Sequence, residues 1–361
     1  MLGTGAQVNL FLEPRKASQV NVLVGLLPSN AQLESNGLLL TGEANLALRN
    51  TLGAGELLLL NWQQIQVRSP RLQFQYEQPF IGGSAFGAMA HFNLLKKDSL
   101  WLNIELELGT QYAFTARQTG SIYFRRFSSN LLSVDTAQIR ATQKLPDQLD
   151  MTLTSIGVEA AHQHTNYRFN PRRGYSYELS ALAGTRVIRE NNVITSLKDP
   201  GFDYNRLYDT VNLKSYQFKL KGSIAGYWPF GKASVMKTAL QSGWIQSGQL
   251  YRNELFQVGG FKLLRGFDEE SIFASLFVCP TLEYRYLIGR NSFFFSFIDG
   301  GYIQDRSLGS NRTATYVGAG LGLQLETKAG LINLSLAAGK QEDLPVNLRQ
   351  AKLHIGFLSY F

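Results

Sequence analysis

A single cysteine, Cys279, occurs in 361 residues, so no internal disulfide forms and no cysteine pair can hold a metal. The four histidines show no zinc spacing. His162 and His164 lie two apart, yet no carboxylate or cysteine is locally arranged to complete a site, and they read as lumen or loop polar residues. Charged residues make up 17% of the chain, below the usual quarter. Long hydrophobic runs are missing too. The four leucines at 57–60 run straight into Asn61, far short of the roughly 18 apolar residues a spanning helix needs. The N-terminus, MLGTGAQVNLF, lacks a basic segment followed by an apolar core. For an exported protein that implies a processed chain or part of a longer one. Catalytic patterns are equally scarce. Gly259, Gly260 and Gly266 lack the strand–loop–helix setting of a phosphate loop, and Asp268 and Ser271 have no base and orienting partner nearby. The expectation is a non-enzymatic protein without metal or cofactor.

What is abundant is aromatic residues, glycine and strict alternation. Aromatics reach 12% and glycine numbers 34. The net charge is +8, but Lys and Arg are scattered through alternating runs rather than gathered in one stripe. Anionic lipid headgroups or a charged lumen explain them, and nucleic acid is not expected as a partner. From residue 17 onward the period is two. Val20, Val22 and Val24 alternate with Asn21 and Gly25. Arg71, Gln73, Gln75 and Glu77 oppose Leu72, Phe74 and Tyr76, and Asn103, Glu105 and Glu107 oppose Leu102, Ile104 and Leu106. Such alternation marks half-buried strands, not helices. Later strands fit 151–164, 175–188, 213–228 and 233–248, while 130–150 and 189–212 read as longer connections.

Counting from residue 17 gives sixteen strands, many longer than the 5–6 residues usual in soluble sheets. Low charge with amphipathic strands of about 9–15 residues fits a membrane wall, where only every second residue meets lipid. A large soluble β-protein shares the composition, though not the strand length. The reading is an all-β, sixteen-stranded antiparallel transmembrane β-barrel over 17–361. An open sheet edge in lipid would leave backbone groups unpaired, so the strand at 19–27 must meet the strand at 353–361.

The densest cluster of signals lies between Phe256 and Asp299. Arg265-Gly266-Phe267 sits in a loop from about 252 to 271, between two long strands. With Glu283 facing inward, Cys279, Thr281 and Arg285 share its face. With Asp299 inward, Phe293, Phe295 and Phe297 join it. Two carboxylates on neighbouring inner walls can hold one guanidinium through charge-assisted bonds. The same residues also fit an exposed loop arginine beside two unrelated lumen acids.

These features resemble the transmembrane domain of the BamA/TamA outer-membrane assembly-factor superfamily. The resemblance rests on Leu264-Arg265-Gly266-Phe267, on Glu283, on Phe297-Ile298-Asp299-Gly300-Gly301, on the glycine-rich run at 318–337 and on the terminal aromatic strand. It implies a sixteen-stranded barrel whose sixth loop folds inward, with Arg265 paired to Glu283 and Asp299. It implies poor pairing of the first and last strands, a lateral seam at Val20, Val22, Gly25, Leu353, Ile355, Gly356 and Phe357. Phe361 would end a barrel-targeting signal. Residues 1–16 resemble the last strand and linker of a periplasmic POTRA module. The implied function is folding and insertion of outer-membrane β-barrel proteins through the seam. Implied partners are outer-membrane lipids and lipopolysaccharide, unfolded clients, and accessory lipoproteins or a POTRA-bearing protein. A secretion or passive pore, or a membrane anchor for a larger complex, is the alternative.

Overall fold

The computed structural model describes residues 17–27, 39–66, 69–167, 170–342 and 351–360. Sixteen antiparallel strands close into one barrel. The first five are β1 Gln19–Leu27, β2 Leu39–Arg49, β3 Leu57–Gln66, β4 Ser69–Gln78 and β5 Phe86–Lys97. Next come β6 Trp101–Thr115, β7 Gln118–Leu131, β8 Met151–Thr165, β9 Gly174–Ile188 and β10 Lys214–Phe230. The wall ends with β11 Ser234–Ser247, β12 Leu276–Leu287, β13 Phe293–Asp305, β14 Arg312–Glu326, β15 Leu331–Gln341 and β16 Lys352–Tyr360.

Alternation sets the two faces. In β8, Met151, Leu153 and Ser155 are buried, whereas Ile156 and Val158 stand 61% and 51% exposed. Around the outer wall, Phe74, Phe124, Phe218, Ile298, Leu321 and Leu336 are likewise exposed. Closure removes every free sheet edge, and an apolar exterior around a polar, buried interior is the arrangement of a lipid-facing barrel.

Antiparallel order also sorts the connections. The chain enters β1 and leaves β16 at one end, where the connections are short: 116–117, 231–233, 288–292 and 327–330. At the opposite end lie 132–150, 189–213 and 248–275. These three long connections pack a core of their own from Ile139, Leu149, Ile194, Tyr204, Leu207, Tyr208 and Tyr251. The 130–150 stretch, expected to be irregular, contains helix α1, Thr136–Thr142, capped by the Asp135 carboxylate on Gln138 N. β7 runs on to Leu131, two residues into that stretch.

Wall height is uneven. β1 and β16 have 9 residues each, and β3 and β4 have 10. β8 and β9 have 15 and β10 has 17. At a rise of about 3.4 Å per residue and a tilt near 40°, nine residues span roughly 23 Å and fifteen roughly 39 Å. Residues 1–16 and Phe361, with the module and targeting roles expected for them, lie outside the described residues.

Candidate functional site

The connection 248–275 carries its own small antiparallel pair, Phe256–Val258 with Ile272–Ala274. Between these strands the chain turns through residues 260–264, closed by hydrogen bonds between Gly260 and Leu264. The Glu269 carboxylate accepts the Phe261 N–H at 2.8 Å. Burial pushes the Glu269 carboxyl up to about 7, against the opposing pull of that N–H. This turn presents Arg265.

Arg265 is buried and satisfied on all sides. Its Nε and Nη2 donate to Asp299 Oδ2 and Oδ1 at 2.7 and 2.8 Å, and its backbone N–H reaches Oδ2 at 3.1 Å. Nη1 donates to Glu283 Oε2 at 2.8 Å. The guanidinium carbon stands 3.4 Å from the centre of the Phe297 ring. Glu283 and Asp299 are 4% and 1% exposed, so two adjacent wall strands, β12 and β13, each supply a buried acid to one cation. Thr281 Oγ1 donates to Asp299 Oδ1, and Arg285 Nε donates to Glu283 Oε1. Every oxygen of the two carboxylates therefore has a donor. Such satisfaction is what makes buried charge tolerable.

Two glycines let the backbone come this close. Gly266 has φ +94°, and a Cβ there would lie 2.6 Å from the Ala338 carbonyl carbon. A Cβ on Gly318 would lie 1.9 Å from the Arg265 carbonyl oxygen. The loop backbone thus rests directly on β14 and β15. Phe267 meets the Tyr316 ring edge-to-face at 5.3 Å. Gly301 makes room for Leu264, while Gly300 faces Pro280 instead.

The structure adds contacts that no motif signalled. Lys262 Nζ bonds both oxygens of Glu43 on β2, at 2.6 and 2.9 Å. Asp268 pairs with Lys352 on β16 at 2.6 Å, and Phe261 lies 5.2 Å from the His354 ring. The turn therefore reaches both neighbours of β1. Farther along the same connection, Arg71 on β4 pairs with Glu270, and Arg186 on β9 donates to Glu254 at 2.6 Å. Asn253 donates to Ser129 Oγ and to the Leu149 carbonyl. From the turn end, Asn170 accepts from Arg285 Nη1 at 3.2 Å and donates to the Arg290 carbonyl.

The seam expected to pair poorly is in continuous register. Its pairs run from Gln19–Tyr360 through Val20–Ser359, Val22–Phe357, Val24–Ile355 and Gly25–His354 to Leu26–Leu353. The strands are equally long and the register has no shift, so nothing interrupts the ladder among the described residues. Gly356 faces Leu23 across it, not Gly25. A second correction concerns His162 and His164. They follow Ile156 and Val158 in parity and sit on the outer face, stacked on each other at 6.1 Å and against Tyr175 and Tyr177. Among the described residues, no cluster of three metal-ligating side chains occurs, and Cys279 is buried.

The sequence model of the Omp85 superfamily domain matches residues 50–356. A search of curated proteins gave no match. Among solved structures, the chain is similar to BamA from Haemophilus ducreyi lacking POTRA domains 1–3. That likeness has 16% identity and TM-score 0.63, over 95% of this chain and 70% of that one. It is also similar to CdiB from Acinetobacter baumannii at 12% identity and TM-score 0.61, over 96% of this chain and 60% of that one. CdiB from Escherichia coli follows at 14% and 0.60, over 96% and 64%. At these identities the likeness is one of fold. The chain spans roughly two thirds of the length of these proteins.

Proposed function

The chain belongs to the Omp85 superfamily, and from that premise we propose that it is an outer-membrane barrel that folds and inserts other β-barrel proteins through the β1–β16 seam. The observation that carries this reading is that, over the described residues, the two shortest wall strands, 9 residues each, meet at the point where the barrel closes. Short strands hold the seam with fewer ladder bonds and leave a hydrophobic belt thinner than the bilayer core of about 30 Å, so lipid beside the seam is compressed. An opened seam offers β1 as an edge to which a client strand adds by backbone hydrogen bonding. The seam group is Val20, Val22, Gly25, Leu353, Ile355, Gly356 and Phe357.

In this account the connection 248–275 is the sixth loop, folded into the lumen. Arg265, Gly266 and Phe267 hold it to Glu283 and Asp299, with Phe297, Gly300 and Gly301 shaping the wall beneath. Arg265 is a structural anchor and forms no intermediate. The long connections face the cell exterior and the short turns the periplasm, where a POTRA-bearing segment or accessory lipoproteins would deliver unfolded clients. The loop's ion pairs with inward residues on β2, β4, β9, β12, β13 and β16 disfavour the passive-pore alternative.

The test is a locked seam. Cysteines at the paired positions Val22 and Phe357, in a Cys279→Ser background, would be oxidised across β1 and β16. Client insertion into liposomes is expected to stop on oxidation and return on reduction. Undiminished insertion by the oxidised barrel would rule out lateral insertion and favour a secretion role or an anchoring role.

A further inference from the structure

Every charge on the outward face of the described wall strands is a cation. Lys96 on β5, Arg126 on β7, Lys214 on β10 and Lys340 on β15 point away from the lumen, all toward the long-connection end, and no outward carboxylate accompanies them. Arg126 lies deepest, five residues before the end of β7. It is exposed and has neither an ion pair nor a hydrogen bond among the described residues. A guanidinium on a lipid-facing wall is expensive unless an anion meets it. Since the protein supplies none, the membrane must.

The neighbouring strands continue the polar row. Arg126 pairs in register with Thr154, Thr154 with Thr185, and Thr185 with Tyr216. Tyr216 is 75% exposed. A cation and three hydroxyls therefore stand side by side across four strands, a width of about 14 Å at 4.8 Å per strand. Toward the turn end, past a row containing Ile156, a cleft of about 540 Å³ opens over β8 to β12, sharing β8, β9 and β10 with the row. Ala160, Ala181, Gly222 and Ser242 form its floor, between Leu179 and Trp244. Val158, level with Ala181, is four residues from Thr154, about 14 Å along the strand. Polar row and apolar cleft are one acyl chain's reach apart.

We propose that the outer face of β7–β11 is a binding site for a phosphorylated, acylated glycolipid. Arg126 pairs with a phosphate, Thr154, Thr185 and Tyr216 hydrogen-bond the headgroup, and one acyl chain lies in the cleft. The breadth of the row suits a sugar headgroup rather than a single glycerophosphate. The proposal rests on the reading that the long connections face the exterior, which puts this height in the outer leaflet.

The test is lipid retention by the full chain in phosphatidylcholine nanodiscs doped with either diphosphorylated lipid A or phosphatidylglycerol, read by native mass spectrometry. Lipid A is expected to be retained over phosphatidylglycerol. Arg126→Gln should lower its retention at least tenfold, Arg126→Lys should restore most of it, and Ala181→Phe should lower it by filling the cleft. Lys340→Gln, on the other side of the barrel, should leave it unchanged. All three substituted positions point outward, and heat-modifiable gel mobility confirms that each variant folds. Equal retention of the two lipids, or undiminished retention by Arg126→Gln, would overturn the proposal. The readout is bound lipid, so its failure leaves the seam-locking result standing.

Discussion

One connection makes two quite different attachments. Around Arg265 it is held by a buried cation, two buried acids, an aromatic face and glycine-thin backbone contacts with β14 and β15. A few residues away it crosses β1, gripping β2 through Lys262, whose side chain is 58% exposed, and β16 through Asp268, 40% exposed. The first attachment has no slack, since removing any partner strands a charge out of water. The second is an ion pair at each end whose donor or acceptor already meets solvent, and screening weakens such pairs. The fold thus fixes the loop on β12–β15 and leaves its grip on the strands flanking β1 light. That division suits the proposed opening of the wall at β1–β16.

The buried attachment around Arg265 should give the largest effects. Arg265→Ala leaves Glu283 and Asp299 buried without their cation, and should destabilise the barrel by about 3–5 kcal/mol. A lowered temperature of heat-modifiable gel shift would record it, and wild-type heat stability would refute the anchor. Gly318→Val should follow, costing about 2–4 kcal/mol, because the Arg265 carbonyl occupies the space its side chain needs. Limited proteolysis within 259–271 is the measurement, with faster cleavage expected. On the weak side, Lys262→Ala should change global stability by only about 1 kcal/mol or less. It should nevertheless speed disulfide trapping of client strands at Val22, and equal trapping rates would remove the grip on β2 from the account.

A pH dependence from Glu269 is a separate effect. Its folded carboxyl titrates near 7, above the ordinary 4.5, so the folded state holds the proton where the unfolded chain has lost it. Its contribution is full below about 4.5 and is lost as pH rises to about 7. Denaturation midpoints between those values should fall with pH in the native chain and fall less in Glu269→Gln.

Strand number and strand parity were legible in the sequence because period-two patterning ties each side chain to a face. Parity alone left Arg265 open between a loop arginine and a partner of Glu283 and Asp299, and the pairing came from the family resemblance. Cys279, Thr281, Glu283 and Arg285 share one face, and Leu282, Tyr284 and Tyr286 share the other, as the alternation demands. The same rule, followed from Ile156 through Val158, would have put His162 and His164 outside. Their polarity argued inward, but at the wall's edge the His162 ring stacks on Tyr175 and Tyr177 and the His164 ring on His162. The Lys262–Glu43 pair left no trace in the sequence. Its partners are 219 residues apart, and neither belongs to a motif or an unusual local pattern. Continuous pairing of β1 with β16 was equally hidden, because strand length shows how many bonds a seam can make, not whether they are made.

The central claim is that β1–β16 is the part of the wall that opens, and amide hydrogen exchange tests it most directly. The account predicts that peptides covering Gln19–Leu27 and Lys352–Tyr360 exchange well before those covering Met151–Thr165 and Gly174–Ile188, and that Arg265→Ala widens the gap. Uniform protection around the barrel, or earlier exchange on the β8–β9 side, would contradict it.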